Sequence, residues 1–280
     1  MAERARQYRR DRAGQFARTP NSPPEDVLRR PVRGVLEPTE QAAVQEVFGV
    51  GPEQVLRDHA ISHTLAAIAT VGADDVVFFG GTALSRTQLP DLRLSEDIDL
   101  IARGNRRSVA ERIESAIESE LGRSLGTVTF EPPLSATKGS EPSVLAVGTS
   151  RFQIQLLRGV DQPAWPTEVI DIEQRYSDAP PARVRVLTPA AQVAAKLAAW
   201  HDRAAPRDLY DLWALASSGA ISGEAARVFG RLGPLTEARS IQFTRIPTDA
   251  EWEAALGHQC IIEVTPAEAA RVIRDAIKDL

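Results

Sequence analysis

A glycine pair followed, one short segment later, by an aspartate–apolar–aspartate triplet constrains this chain more than any other feature. Gly80-Gly81-Thr82 closes the apolar run Val76 to Phe79, and Ser95-Glu96-Asp97-Ile98-Asp99-Leu100 opens a second run. Both runs have the length and composition of short buried strands. Alternate strand side chains share a face, so Asp97 and Asp99 converge while Ile98 and Leu100 enter the core. Glu96 falls on the opposite face or at the rim. Two like charges set together in such a strand are costly unless a cation joins them. Glycine lets the backbone approach a phosphate and adopt φ > 0. Thr82-Ala83-Leu84-Ser85-Arg86 can then begin a helix whose first amides face an anion. The combination suits Mg²⁺ and the phosphates it neutralises. The GxxxxGK[ST] spacing of a P-loop is absent.

At 280 residues and 43% hydrophobic, the chain can bury a substantial core. A net charge of -5 argues against a general binder of nucleic acid, though not against a local basic groove. Cys260 is the one cysteine, which excludes an internal disulfide and a cysteine-rich zinc site and suits a cytoplasmic protein. No apolar run is long enough to span a membrane. The N-terminal stretch is arginine-rich without an apolar core, so it does not read as a secretory signal. Lysine is rare: Lys138, Lys196 and Lys278 stand against thirty arginines. Lys138 and Lys278 fall in polar surroundings, whereas Lys196 lies in an apolar helical stretch, Ala190 to Trp200.

Residues 1–35 read as a disordered basic arm, either a solvated tail or an electrostatic handle for RNA or an acidic partner. Helices are expected over Thr39 to Phe48, with Thr39 as N-cap, over Pro52 to Ile68, and over Ser108 to Leu121, where Val109, Ile113, Ile117 and Leu121 recur at helical spacing. Strands are expected at Val76–Phe79, Ile98–Ala102, Thr127–Phe130, Val144–Val147, Phe152–Leu157 and Val184–Leu187. From Pro189 onward the pattern is helical. The chain thus divides into an α/β part, 36–175, and a mostly helical part, 176–280.

Thr188-Pro189 is a cap-plus-first-turn start for the helix carrying Lys196. Trp200 and Arg203 follow on the same face. Lys196 is either a snorkelling lysine or a phosphate-contacting point charge. In the next helix Asp208 and Asp211 share a face, and Arg207 can pair with Asp211. These acids either complement the helix dipole or organise Lys196 or a substrate hydroxyl. His59 and His63, four apart on a helix, lack the glutamate of a zincin and any evident third ligand, and read as ordinary surface or core histidines. Trp200 and Trp213 read as core.

Taken in order, Phe78 to Ser85, Arg93 to Leu100, Lys196-Leu197-Ala198-Ala199 and Arg207-Asp208-Leu209-Tyr210-Asp211-Leu212 resemble the AbiEii family of nucleotidyltransferase toxins, to which the mycobacterial MenT toxins belong. The similarity runs over about residues 53–220. The resemblance implies a polymerase β-like nucleotidyltransferase fold with a helical C-terminal part. It implies transfer of a nucleoside monophosphate from an NTP, dependent on Mg²⁺ or Mn²⁺, to an RNA acceptor. In MenT-type members that acceptor is the 3′ end of tRNA, which blocks aminoacylation and growth, and a cognate antitoxin restrains the enzyme. On matching positions, Asp97 and Asp99 would bind metal, and Gly80, Gly81 and Thr82, with Ser85 and Arg207, would border the nucleotide. Lys196 would contact its phosphates, and Asp208 or Asp211 would support the reaction centre. Thr82 and Ser85 are also the candidates for a silencing phosphorylation. One departure stands out: where a third carboxylate is expected, the strand reads Phe152-Gln153-Ile154-Gln155. Alternatives to an RNA acceptor are a protein hydroxyl or a small molecule on the same fold, or a non-catalytic RNA- or partner-binding module with a degenerate site.

Overall fold

Proline and small polar residues open most helices of this chain, and short β-branched and aromatic runs supply its strands. The computed structural model describes residues 31–278 and 280; most of the arm, residues 1–30, lies outside the described residues. Two helices come first, α1 (Pro38–Phe48) and α2 (Pro52–Ala69). Glu37, not Thr39, precedes α1, because Pro38 takes the first helical position. Next come β1 (Val76–Phe79), the five-residue α3 (Gly80–Leu84), β2 (Asp97–Ala102) and α4 (Arg106–Leu121). The strands β3 (Val128–Glu131), β4 (Ser143–Val147), β5 (Ser150–Arg158), β6 (Thr167–Asp171) and β7 (Arg183–Leu187) follow. The chain continues with α5 (Pro189–Arg203), α6 (Pro206–Ser217), α7 (Gly223–Leu232), α8 (Asp249–Leu256) and α9 (Pro266–Lys278).

The seven strands form one mixed sheet in the order β3-β4-β5-β2-β1-β7-β6. β2 lies antiparallel to β1 and parallel to β5, and β7 runs parallel to β1. The sheet thus takes in β6 and β7, across the expected boundary at 175. β6, which follows directly on the proline-containing stretch 161–166, is not among the strands expected from the sequence. It is an edge strand held by pairing to β7.

Strand alternation sorts the core. Val76, Phe78, Ile98, Leu100 and Ala102 pack under α2 and α4. On the other face Val77, Ile101 and Leu187 meet the C-terminal helices, where Leu197, Trp200, Leu209, Phe229 and Ile273 are buried. Trp200 is core, stacked on Phe243 with centroids 5.5 Å apart, its indole N–H donating to the Gln242 carbonyl. Burying a side chain such as Ile98 or Leu100 contributes about 1.5–3 kcal/mol. Each therefore anchors β2 beside its aspartates. Among the described residues no helix is long and apolar enough to cross a membrane.

Candidate active site

Asp97 and Asp99 project from the face of β2 opposite Ile98 and Leu100. Phe79 of β1 pairs with Asp99, which brings the following Gly80 beside it. Gly80 has φ +80°, and a Cβ there would run into the Asp99 carboxylate. Both facts demand glycine. A Cβ on Gly81 would meet Arg93 Nη2 at 2.8 Å. A cavity of about 340 Å³ opens here, lined by Gly81, Asp97, Asp99, Lys196, Arg207 and Asp208.

Thr82 and Ser85 do not line that cavity. The Thr82 hydroxyl donates to the Asp97 carbonyl, and the Ser85 hydroxyl donates to the Thr82 carbonyl at 3.0 Å. Both residues are buried. A helix as short as α3 leaves such groups to bond inside the turn, and Thr82 pins α3 to β2. Neither hydroxyl is presented to a modifying enzyme.

Lys196 is buried between two helices. α5 starts at the Thr188 cap, whose hydroxyl accepts from Ala191 N–H, and α6 starts at Pro206. The ammonium lies 2.9 Å from Asp208 Oδ1 and 2.8 Å from Asp211 Oδ2. Asp208 also accepts from Arg203 Nε at 2.7 Å and Nη2 at 3.0 Å. Asp211 accepts a fork from Arg93, 2.7 Å from Nε and 2.8 Å from Nη2. The charges alternate along Arg203, Asp208, Lys196, Asp211 and Arg93. Burial pushes the Asp208 carboxyl up, but Lys196 and Arg203 outweigh it and hold it well below the carboxylate range. For Asp211 burial is likewise overcome, by Arg93 and Lys196. Burial works against the Lys196 charge, and the two aspartates more than restore it. Asp208 and Asp211 thus share one role: both hold Lys196 in its charged form at the cavity wall. Neither is free to accept a proton.

The aspartates of β2 are in a different condition. No side chain hydrogen-bonds or ion-pairs with the Asp99 carboxylate among the described residues. Burial, then the neighbouring charge of Asp97, push it up to about 6, against the pull of Lys196, Arg203 and Arg207. Asp97 is raised as well, by burial first, with Arg207 opposing and Glu96 adding. Arg207 Nη1 is 4.0 Å from Asp97 and 3.6 Å from Glu96. Two oxygen donors on one strand face, one of them without a direct ion-pair partner, fit a hard divalent cation such as Mg²⁺ or Mn²⁺. The strand register puts Gln153 beside Asp97 and Gln155 beside Asp99, so glutamines occupy the neighbouring positions of β5. The Gln155 amide donates to the Ser140 carbonyl.

Glu96 is a rim anchor. It accepts from Arg57 at 2.6 Å and from Gln259 at 2.8 Å, with His258 at 3.2 Å. Gln259 also binds Arg93 Nη1 through its side chain and Leu94 N–H through its carbonyl. Glu96 sits at the rim, one of the two places the strand alternation allows it, whereas the roles of Arg93, His258 and Gln259 are not among the expectations from the sequence. Arg93 sits just before the aspartate motif, which was a usable signal. For His258 and Gln259, 160 residues away in the chain, nothing local pointed to the site.

His59 and His63 are buried and lie apart from this cavity. They do have a third neighbour: their Nε2 atoms lie 2.9–3.1 Å from the Asp178 carboxylate. Asp178 also accepts from Gly34 N–H at 2.8 Å. Burial would raise the Asp178 carboxyl, but His59 and His63 outweigh it and hold it low. The three ligand atoms form a nitrogen–nitrogen–oxygen set within 4.8 Å of one another. Such a set suits zinc better than magnesium. As the residues stand, direct hydrogen bonds link α2 to the segment between β6 and β7.

No curated protein matches this chain. Among solved structures, MenT4, a nucleotidyltransferase toxin from Mycobacterium tuberculosis H37Rv, superposes with a TM-score of 0.61 at 21% identity, over 86% of this chain and 90% of that one. A protein of H. pylori assigned to the nucleotidyltransferases gives a TM-score of 0.48 at 19% identity, over 78% of this chain and 93% of that one. The first likeness agrees with the polymerase β-like fold expected from the motifs. The family profile for "Nucleotidyl transferase AbiEii toxin, Type IV TA system" matches residues 64–259, which include every side chain of the cavity described above. The chain belongs to the AbiEii nucleotidyltransferase toxins of type IV toxin–antitoxin systems.

Proposed function

We propose that this nucleotidyltransferase moves a nucleoside monophosphate from an NTP to the 3′-hydroxyl of an RNA, the 3′ end of tRNA, and so stops aminoacylation and growth until a cognate antitoxin restrains it in the cytoplasm. The observation that carries this reading is the pair Asp97–Asp99. The two carboxylates share one face, both are raised, and Asp99 lacks a partner, all beside a glycine turn and a charged lysine. In the proposed reaction the acceptor oxygen attacks the α-phosphorus in line, and the bond to pyrophosphate breaks. Mg²⁺ or Mn²⁺, held by Asp97 and Asp99, neutralises charge on the reacting phosphates when bound.

The chain's own residues do the rest. Lys196, kept ionised by Asp208 and Asp211, offers a fixed positive charge to the triphosphate. Gly80 and Gly81 leave room for phosphate oxygens near the backbone, and Arg207 sits at the mouth where the nucleotide enters. Because Asp208 and Asp211 are tied up by cations, and Asp97 and Asp99 would hold the metal, the hydroxyl proton passes to solvent.

The test is to incubate the protein with α-³²P-NTPs, Mg²⁺ and total RNA, then divide the sample between nuclease and protease. Label that nuclease releases and protease leaves supports the reading. Label that survives nuclease places the acceptor elsewhere. Asp97→Ala and Asp99→Ala should each abolish transfer, and retained activity in either would remove that aspartate from the reaction.

A further inference from the structure

The sheet face that carries Asp97 and Asp99 does not end at the catalytic cavity. Ile101, next on the same face of β2, lines a second and larger cavity of about 930 Å³. At about 3.3 Å per strand residue, it lies about 7 Å beyond Asp99. Two other elements run from one cavity to the other. β5 gives Gln155 to the first and Arg158 to the second, and the loop before β4 gives Pro142 to the first and Lys138 to the second.

The walls of this second cavity contradict the acidity of the chain. Arg103, Arg106, Arg107, Lys138 and Arg158 line it, and among the described residues no aspartate or glutamate does. Arg106 spends its guanidinium on neutral acceptors: the carbonyls of Leu156 at 2.7 Å, Leu134 at 3.4 Å and Thr137 at 2.8 Å, and the Thr137 hydroxyl. Its charge is locked in place by these neutral acceptors, and the nearby Glu141 acts on it through space without a hydrogen bond. The Lys138 ammonium has no partner among the described residues. Arg107 and Arg158 pair only with exposed acids of their own segments. Such pairs are weak and open readily to a competing anion. α4 begins at this wall, capped by Asn105, so its dipole adds to the positive potential. Trp165 lines the cavity as a partly buried aromatic surface.

We propose that this cavity binds the single-stranded end of the RNA acceptor, with backbone phosphates on Arg106, Arg107 and Lys138 and a base against Trp165. The proposal rests on the reading of the acceptor as RNA. A concave basic wall with an aromatic inside it is the combination that holds unpaired nucleotides. Its continuity with the catalytic face places the nucleotides preceding the reactive 3′-hydroxyl in it. An acidic protein is the less fitting occupant, because the charges line a hollow with an aromatic wall.

The test uses the full chain and a short fluorescein-labelled single-stranded RNA, with anisotropy read across a series of KCl concentrations. Arg107→Glu combined with Lys138→Glu touches only exposed side chains. It should weaken binding at least about tenfold at low salt and reduce the slope of log affinity against log salt by about 1.4, two contacts at roughly 0.7 each. Trp165→Ala should weaken binding about tenfold and leave the slope unchanged. The thermal shift produced by Mg²⁺ and NTP should be the same in the charge-reversed protein and the unmodified one. Equal RNA affinity and slope in the two proteins would overturn the proposal, as would failure of the unmodified chain to bind the RNA. So would a charge reversal that abolishes association with the antitoxin and spares the RNA. RNA binding through this cavity, together with label found only on protein, would leave the proposal standing and refute the RNA-acceptor reaction instead.

Discussion

Replacing Asp99 by asparagine should make this protein more stable while removing its activity. The Asp99 carboxyl is raised from 3.8 to about 6 by burial and by the charge of Asp97. Its ionised form is therefore disfavoured in the folded state. At about 1.4 kcal/mol per tenfold, the gap amounts to roughly 3 kcal/mol at neutral pH. This is an upper bound, because Asp97 relaxes in part when its neighbour loses its charge. The direction with pH is fixed. Below about 3.8 the carboxyl is protonated in both states and costs nothing; the cost grows between about 4 and 6 and is complete above. Urea unfolding without divalent cations, run at several pH values, should show Asp99→Asn matching the unmodified protein near pH 4. It should exceed it by about 1–3 kcal/mol at pH 7.5. Added Mg²⁺ should stabilise the unmodified protein and not the variant, with an effect that shrinks as pH falls through 6. A variant less stable at pH 7.5, or an advantage independent of pH, would refute the electrostatic account of the site.

Gly80→Ala combines a strained φ of +80° with a collision against Asp99. It should cost about 1–2 kcal/mol in urea unfolding and lower label transfer more than tenfold. Arg93→Ala leaves Asp211 and Gln259 without their buried partner and should cost about 3–5 kcal/mol. Arg93→Lys, which cannot form the fork, should recover only part of this in the same assay. Asp178→Ala removes the acceptor shared by His59, His63 and Gly34 and should cost about 3 kcal/mol at pH 7. Because the histidines hold the Asp178 carboxyl low against its burial, that difference should persist above about pH 4 and narrow as pH falls further.

The sequence was most legible where local rules agree. The spacing of Val109, Ile113, Ile117 and Leu121 marks α4. Thr188-Pro189 marks the start of α5. The alternation in Asp97-Ile98-Asp99-Leu100 gives both the strand and its two faces. Legibility ended where long-range contacts decide. β6 is a strand because β7 pairs with it, not because Thr167–Asp171 announces one. The spacing of Asp208 and Asp211 leaves their roles open. Only the packing of α6 on α5 shows that both grip Lys196. The pattern of His59 and His63 offers no partner, since Asp178 arrives from 115 residues further along. Thr82 and Ser85 lie within the motif, yet the tight geometry of α3 turns their hydroxyls away from the cavity.

The bonds from Gln259 to Arg93, Leu94 and Glu96 bear on how the enzyme comes into being. A chain still on the ribosome can make the glycine turn and the aspartate strand early, but their supports are translated only after another 160 residues. Until then Arg93 lacks its outer brace, and Glu96 is held by Arg57 without its bond from Gln259. The rim of the cavity is therefore completed by a residue made long after the motif it braces.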